Sequence, residues 1–393
     1  MTYRDRWNTA MMPNYGTPPL ALDHGDGVRV WDTDGNEYLD FVAGIAVSSL
    51  GHAHPAVIAA VTAQVGKIAH TSNLYMHEPG LALAERLVSL VGAPARVFFG
   101  NSGAEANECA LKLVRKHSQG TGRTELISTE HSFHGRTLGS LALTGTPSKR
   151  APFEPLPGPV SYVEYGDIDA LRTIVTERTA AVFLEPIQGE AGVIVPPVGY
   201  LRAARAICDE AGALLVIDEV QSGIGRTGNW FASLAEGVRP DIITLAKGLA
   251  GGLPIGACLG LGAAGEIFAP GDHGSTFGGN PVSAAAALAV LDTIRDEHLL
   301  DQVKRVGEHL AHGLDALHSP LVATTRGVGL WRGVVLTAEK AGAVEAAARK
   351  NGLLVNAAKA DTLRIAPPLI LTEAEVDEAL PKLQAAFDEV AGA

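Results

Sequence analysis

The chain has 393 residues, enough for a large hydrophobic core and a second, smaller one. Its formal charge of −12 argues against nucleic acid as a partner, because phosphate backbones are bound by basic patches. The three cysteines, Cys109, Cys208 and Cys258, are odd in number and lack CxxC spacing, which predicts a reducing, cytoplasmic setting. The opening residues MTYRDRWNTAMMPNYG hold no apolar run of the kind a secretory signal needs.

In chain order, Val28–Trp31 and Tyr38–Phe41 are short strands around Asp34-Gly35, a hairpin signal. The His-x-His pair of Gly51-His52-Ala53-His54-Pro55 precedes a helical pattern over 56–68. No Cys, Asp or third His accompanies it at ligand spacing, so no metal site is expected. Glu78–Val91 is an amphipathic helix, and the strand Val97–Phe99 then runs into Gly100-Asn101-Ser102-Gly103-Ala104 and a helix to about His117. Ser102 is a natural N-cap, and the free N–H groups at the helix start suit a phosphate, although a plain capped helix explains the same residues. Leu126–Ser128 is a strand that ends near Phe133 and Arg136. An aromatic beside Gly135 and an arginine can stack on a planar ring and bind a carboxylate, or it is a core Phe with a surface Arg. The strand Ala181–Leu184 exits onto Glu185-Pro186-Ile187-Gln188-Gly189-Glu190, and a helix over 199–211 follows.

Two later strands carry the most pointed signal. Leu214–Ile217 ends on Asp218-Glu219, and Ile242–Leu245 delivers Lys247 into Gly248, Gly251 and Gly252. A carboxylate closing an apolar strand faces a ligand more readily than it is buried unpaired. An Asp and a Lys at adjacent strand ends suit pyridoxal phosphate, which needs a lysine for its Schiff base and an acid to keep its ring nitrogen protonated. Read alone, Asp218 is open to helix capping and Lys247 to a solvated loop. The run Gly223-Ile224-Gly225-Arg226-Thr227-Gly228 has the G-x-G-x-x-G spelling of a dinucleotide site, but acids occupy its strand end and no helix opens directly from it, so NAD is rejected. The uncharged stretch 248–265 is glycine-rich and broken by Pro254, which predicts buried loop and strand, not a membrane span. A small-residue loop over 274–281 leads into an Ala-rich helix near Val282. Beyond about residue 290 come a long helix, strands Gly333–Leu336 and Leu363–Ala366, and a last helix Glu373–Val390, with Arg364 on a strand facing the cleft. The predicted architecture is α/β: a doubly wound, mostly parallel sheet with its site along one edge, and a smaller α/β domain.

NSGAEANE, FHGR, EPIQGE, IDEVQSGIGRTG, LAKGLAGGLPIGA, HGSTFGGNP and LRIAPPL, in this order, resemble the class-III pyridoxal-phosphate aminotransferases over almost the whole chain. Within that family the chain is most similar to the branch that acts on acetylornithine in bacterial arginine biosynthesis. The resemblance implies fold type I, a large cofactor-binding domain over 52–285, and a small domain built from 1–51 and 286–393. It also implies a homodimer with shared active sites. Lys247 would hold the cofactor, Asp218 would pair with the ring nitrogen, and Gln221 would reach the ring's phenolic oxygen. Phe133 and Val220 would cover the two ring faces. Ser102, Gly103 and Ala104 would hold the phosphate, with Thr276 arriving from the neighbouring subunit. Arg136, helped by Ser275, would take the carboxylate of the acetylated substrate, and Arg364 the α-carboxylate of glutamate or 2-oxoglutarate, with Glu190 screening Arg364. The implied reaction moves the ω-amino group of N2-acetyl-L-ornithine to 2-oxoglutarate. Ornithine, 4-aminobutyrate or N-succinyl-diaminopimelate as donor, or an aminomutase, are the alternatives. Tyr15 and Ile45 stand near positions where ornithine-specific members grip a free α-amino acid head, and the aliphatic Ile45 favours an acylated substrate.

Overall fold

The computed structural model describes residues 1–392. Its N-terminal part is the meander β1 (Leu22–Asp26), β2 (Arg29–Asp32) and β3 (Glu37–Asp40), with Asp34-Gly35 in the second turn. A sheet of seven strands follows: β4 (Ala95–Gly100), β5 (Glu125–Thr129), β6 (Val160–Val163), β7 (Thr179–Leu184), β8 (Leu214–Asp218), β9 (Ile242–Leu245) and β10 (Gly256–Leu261). Their spatial order is β4-β10-β9-β8-β7-β5-β6, and β10 alone runs against the others.

β7, β9 and β10 are buried along their whole length, as apolar strands are when helices cover both sheet faces. Side-chain alternation divides the core between those faces. Val182, Leu184, Leu215 and Ile217 pack under the helix Tyr200–Ala211, while Ala181, Phe183 and Val216 pack under the helix Gly103–His117. Phe183 is fully buried, so its truncation to alanine costs about 3–5 kcal/mol.

The remaining strands are β11 (Val322–Val328), β12 (Trp331–Leu336), β13 (Leu353–Leu354), β14 (Asn356–Lys359) and β15 (Thr362–Ile365). β13 adds in parallel to β3, tying the two ends of the chain into one sheet. The antiparallel sheet β11-β12-β15-β14 carries Arg364 on an inner strand, opposite Gly333 and Asn356. Between β3 and the first long helix the backbone takes a left-handed turn: Ala43, Gly44, Ile45 and Ala46 have φ of 48°, 61°, 66° and 61°. Left-handed backbone costs non-glycine residues roughly 1–2 kcal/mol each, so the surrounding packing must enforce it. The stretch 248–265 is a turn and the strand β10; among the described residues no helix is long and apolar enough to cross a membrane.

Candidate active site

The parallel strands all end on one edge of the large sheet, and a cavity of about 380 Å³ opens there. Ser102, Gly103, Ala104, Phe133, Arg136, Glu190, Asp218, Val220, Gln221 and Lys247 line it together, though they come from five separate stretches of chain. Its floor is the start of the helix Gly103–His117. Ser102 caps that helix by accepting from the N–H of Glu105 at 3.2 Å, leaving the first-turn N–H groups at the positive end of the dipole. Gly103 is required by close packing, since a Cβ there would lie 2.8 Å from Val220.

Asp218 is 5% exposed and held by three donors. Its Oδ1 accepts from the N–H of Val220 at 2.9 Å, and its Oδ2 meets Asn107 Nδ2 at 2.7 Å and His134 Nδ1 at 2.8 Å. Asn107 is fixed in turn by Thr244 Oγ1, which donates to its Oδ1, and by the carbonyl of His134, to which it donates. Burial works against charge on the His134 ring, but the bond and charge of Asp218, with Glu185, outweigh it and raise its pKa. The orientation of the carboxylate is therefore fixed, and its charge favours the protonated form of the His134 ring.

Lys247 follows β9 in left-handed backbone, φ 43°, a strained conformation of the kind found at functional sites. Burial lowers its amine to about 8 and the charge of Arg364 adds to this, against the opposing pull of Glu190, Asp218 and Glu185. An amine so tuned gives up its proton close to neutral pH, as a nucleophile or a general base must. Glu185, across the cavity, is pushed up to about 8 by burial and by Asp218, although His134 and Lys247 oppose this. One of its oxygens accepts from the N–H of Phe133 at 3.0 Å and so orients the Phe133 backbone.

The two arginines differ. Arg364 is 3% exposed; its Nη1 meets Glu190 at 2.5 Å and Gln221 Oε1 at 3.4 Å, and its Nη2 meets Asn356 at 2.8 Å. Arg364 lowers the pKa of Glu190 although burial would raise it. Arg136 is exposed, lies over the Phe133 ring at 5.5 Å, and makes no ion pair among the described residues.

Several expectations are placed elsewhere. Ser275 bonds Asn101 at 3.2 Å outside the cavity; Thr276, expected to serve the neighbouring subunit's site, is exposed and does not line its own. Tyr15 and Ile45 are 69% and 44% exposed and do not line the cavity, although Val47, just after the left-handed turn, does. Glu219 faces no ligand: its two oxygens accept from Ser222, Ala232 and Ser233. The Gly223–Gly228 run is a clamp. Arg226 at its centre is buried and donates to the carbonyls of Leu330 (3.0 Å) and Pro367, joining the large sheet to the C-terminal part. His52 of the His-x-His pair bonds Asp40 at 2.8 Å, and among the described residues no three His, Cys, Asp or Glu side chains gather as a metal site.

Sequence reasoning missed Asn107, His134, Glu185 and Asn356. Asn107 had a readable signal: it is a polar residue on the buried face of its helix, beside Ala106, Ala110 and Val114. Asn356 had none.

The aminotransferase class-III family model matches residues 10–387, and the chain belongs to that family. It is 58% identical over 391 residues to an acetylornithine aminotransferase of Mycolicibacterium smegmatis, covering all of this chain and 99% of that one. It is 56% identical to the Streptomyces coelicolor protein of the same name, covering 98% and 96%. The crystal structure of N-acetylornithine aminotransferase from Stenotrophomonas maltophilia superposes with a TM-score of 0.86 at 38% identity, over 98% and 99% of the two chains. An ornithine aminotransferase from Toxoplasma gondii gives 0.94 at 33% identity, over 98% and 94%. The fold is that of the fold type I aminotransferases, and the protein is a pyridoxal-phosphate-dependent aminotransferase.

The cavity fits that cofactor on its own terms. It offers an amine, a fixed carboxylate, a helix start for a phosphate and an aromatic wall, and Gln221 Nε2 is buried there without a partner among the described residues. Lys247 would bind the cofactor covalently, Asp218 would face its ring nitrogen, and the Ser102–Ala104 turn would take its phosphate. Bound there, the cofactor supplies an electron sink for the carbanion left when the amine-bearing carbon loses its proton.

Proposed function

We propose that the protein transfers the ω-amino group of N2-acetyl-L-ornithine to 2-oxoglutarate, giving N-acetyl-L-glutamate 5-semialdehyde and L-glutamate, a step of arginine biosynthesis. The names of its full-length relatives support this reading. The observation that carries it is an unscreened arginine, Arg136, lining the cavity, and a screened one, Arg364, held just behind its wall by Glu190 and Gln221. Arg136, lacking an ion-pair partner, is open to the carboxylate of the acylated donor. Arg364, masked by Glu190, becomes available when an α-carboxylate displaces that glutamate. A planar guanidinium binds a carboxylate through two parallel hydrogen bonds, so each arginine can orient one end of a substrate. Lys247 Nζ then takes the proton from the amine-bearing carbon, a role suited to its pKa near 8. Asp218, steadied by His134 and Asn107, would keep the ring nitrogen of the bound cofactor protonated.

The active unit we propose is a homodimer. Leu74, Tyr75, Met76 and Phe277 are 81%, 73%, 87% and 61% exposed. Asn73 ties their two loops together through the carbonyls of Ser275 and Gly278. A contiguous apolar patch of this kind is buried in an interface, and a second copy covering it is the route by which Thr276 would reach a cavity. We further propose the division into a large domain, 52–285, and a small one, 1–51 with 286–393, and a cytoplasmic location, which suits three free, buried cysteines.

Turnover with each candidate donor and 2-oxoglutarate, read as glutamate formed, tests the reaction. Acetylornithine is expected to exceed ornithine, 4-aminobutyrate and N-succinyl-diaminopimelate in kcat/KM by at least about tenfold. Equal or greater efficiency with one of the others would replace it as the substrate.

A further inference from the structure

A second unpaired cation stands beside Arg136. Lys149 lies in the short helix Pro147–Arg150 and is half-buried. Its Nζ is 4.8 Å from the centre of the Phe133 ring, the same ring that carries Arg136 at 5.5 Å. Among the described residues the Lys149 ammonium makes neither a hydrogen bond nor an ion pair. Its neighbour Arg150 behaves otherwise: Arg150 donates to the carbonyl of Thr144 at 2.6 Å and lies over Tyr162 at 4.0 Å, which anchors the turn. Of two adjacent cations, one fastens the backbone and the other is left directed at the wall of the active site.

The electrostatic setting is that of the cavity. Burial lowers the Lys149 amine, Arg136 and Arg364 lower it further, and Glu190 and Glu185 pull the other way. Two like charges over one ring repel each other, and among the described residues neither makes an ion pair. An arrangement of that kind is stabilised by an anion placed between them.

We propose that Lys149 is a specificity-determining residue that shares with Arg136 the substrate carboxylate lying farthest from the reacting amine. The ligand class is a chain bearing an amine or keto group toward Lys247 and a carboxylate toward Phe133. Acetylornithine presents its only carboxylate there, and 2-oxoglutarate presents the one remote from its keto group. This rests on the aminotransferase reading above and extends it to a residue that no motif marks.

The test compares wild type, Lys149→Met and Lys149→Arg with acetylornithine and with 4-acetamidobutylamine, the same donor without its carboxylate. Lys149→Met is expected to raise KM for acetylornithine about five- to tenfold and for 2-oxoglutarate about threefold, since the latter keeps Arg364. The KM for 4-acetamidobutylamine should move less than about twofold, and Lys149→Arg should restore most of the loss. Equal changes with both donors would overturn the proposal and leave Lys149 as packing for Phe133, as would no change with either. Calorimetric titration of the holoenzyme with glutarate reads Lys149 without any amine donor. Weaker binding by about fivefold in Lys149→Met, recovered in Lys149→Arg, supports the proposal, and unchanged binding refutes it. If wild type uses 4-acetamidobutylamine as well as acetylornithine, the donor assignment fails, and the glutarate result still decides the role of Lys149.

Discussion

Arg136 lines the cavity, Arg364 stands behind its wall on Glu190 and Gln221, and the two are built in opposite ways. Arg364 comes from an inner strand of the small antiparallel sheet, is almost fully buried, and is held by Glu190, Gln221 and Asn356. Arg136 stands on a loop past β5, exposed and without an ion-pair partner among the described residues. A buried cation left unpaired is costly, so Arg364 must keep a carboxylate of its own until a substrate supplies one. An exposed cation has no such need. On the function proposed above, this contrast would let one enzyme admit donors with and without an α-carboxylate next to the amine, one end always open and the other opening by exchange.

The contrast has meaning only if both arginines serve the same amine. Lys247→Ala is expected to lower turnover with every donor by at least about a thousandfold, measured as glutamate formed, because among the described residues no other lysine lines the cavity. Next in size, Arg136→Ala should raise KM for acetylornithine roughly thirtyfold, the lower end of what a lost carboxylate partner costs, and affect glutamate much less. Comparable losses with both donors would mean that Arg136 does not distinguish the two ends. Glu190→Ala removes the mask. It should shift the ratio of kcat/KM for glutamate over acetylornithine upward by about tenfold, and an unchanged ratio would show that Glu190 does not gate Arg364.

The smallest effect concerns the far wall. Glu185 keeps its proton up to about 8 against an ordinary carboxyl value of 4.5, so between those values the folded chain binds more protons than the unfolded one. The stability this gives is fully present below pH 4.5 and is lost as pH rises through 8. Glu185→Gln, which cannot ionise, should melt close to wild type near pH 5 and a few degrees above it near pH 8. Identical melting at pH 8 would mean that the carboxyl ionises in place without cost.

The two ends of the cavity also differ in how far they could be read from sequence. Asp218, Lys247 and the Ser102–Ala104 turn were legible because each ends an apolar strand or opens a helix within one short stretch, where local rules apply. The Glu190–Arg364 pair joins residues 174 positions apart and was reached through family resemblance; strand periodicity alone marks neither residue as paired. Glu219 shows the limit of the local rule. It follows Asp218 at the same strand end, yet it turns inward to cap the turn around Ser233, because alternate residues at a strand end point to opposite sides. The glycine spelling of 223–228 misleads for a related reason. It serves a buried Arg226 that clamps a second sheet, a contact more than 100 residues away in sequence. Lys149 carries no signal at all until folding brings it over Phe133.

The most direct test is a pair of half-reactions followed by stopped-flow absorbance of the bound cofactor in wild type and Arg364→Lys. Lysine keeps the charge that satisfies Glu190 but lacks the fork that grips an α-carboxylate. The division of labour between the arginines requires the glutamate half-reaction to slow by about a hundredfold while that with acetylornithine stays within about threefold. Equal slowing with both donors would contradict it, and would mean that Arg364 supports the site as a whole and does not select one end of one substrate.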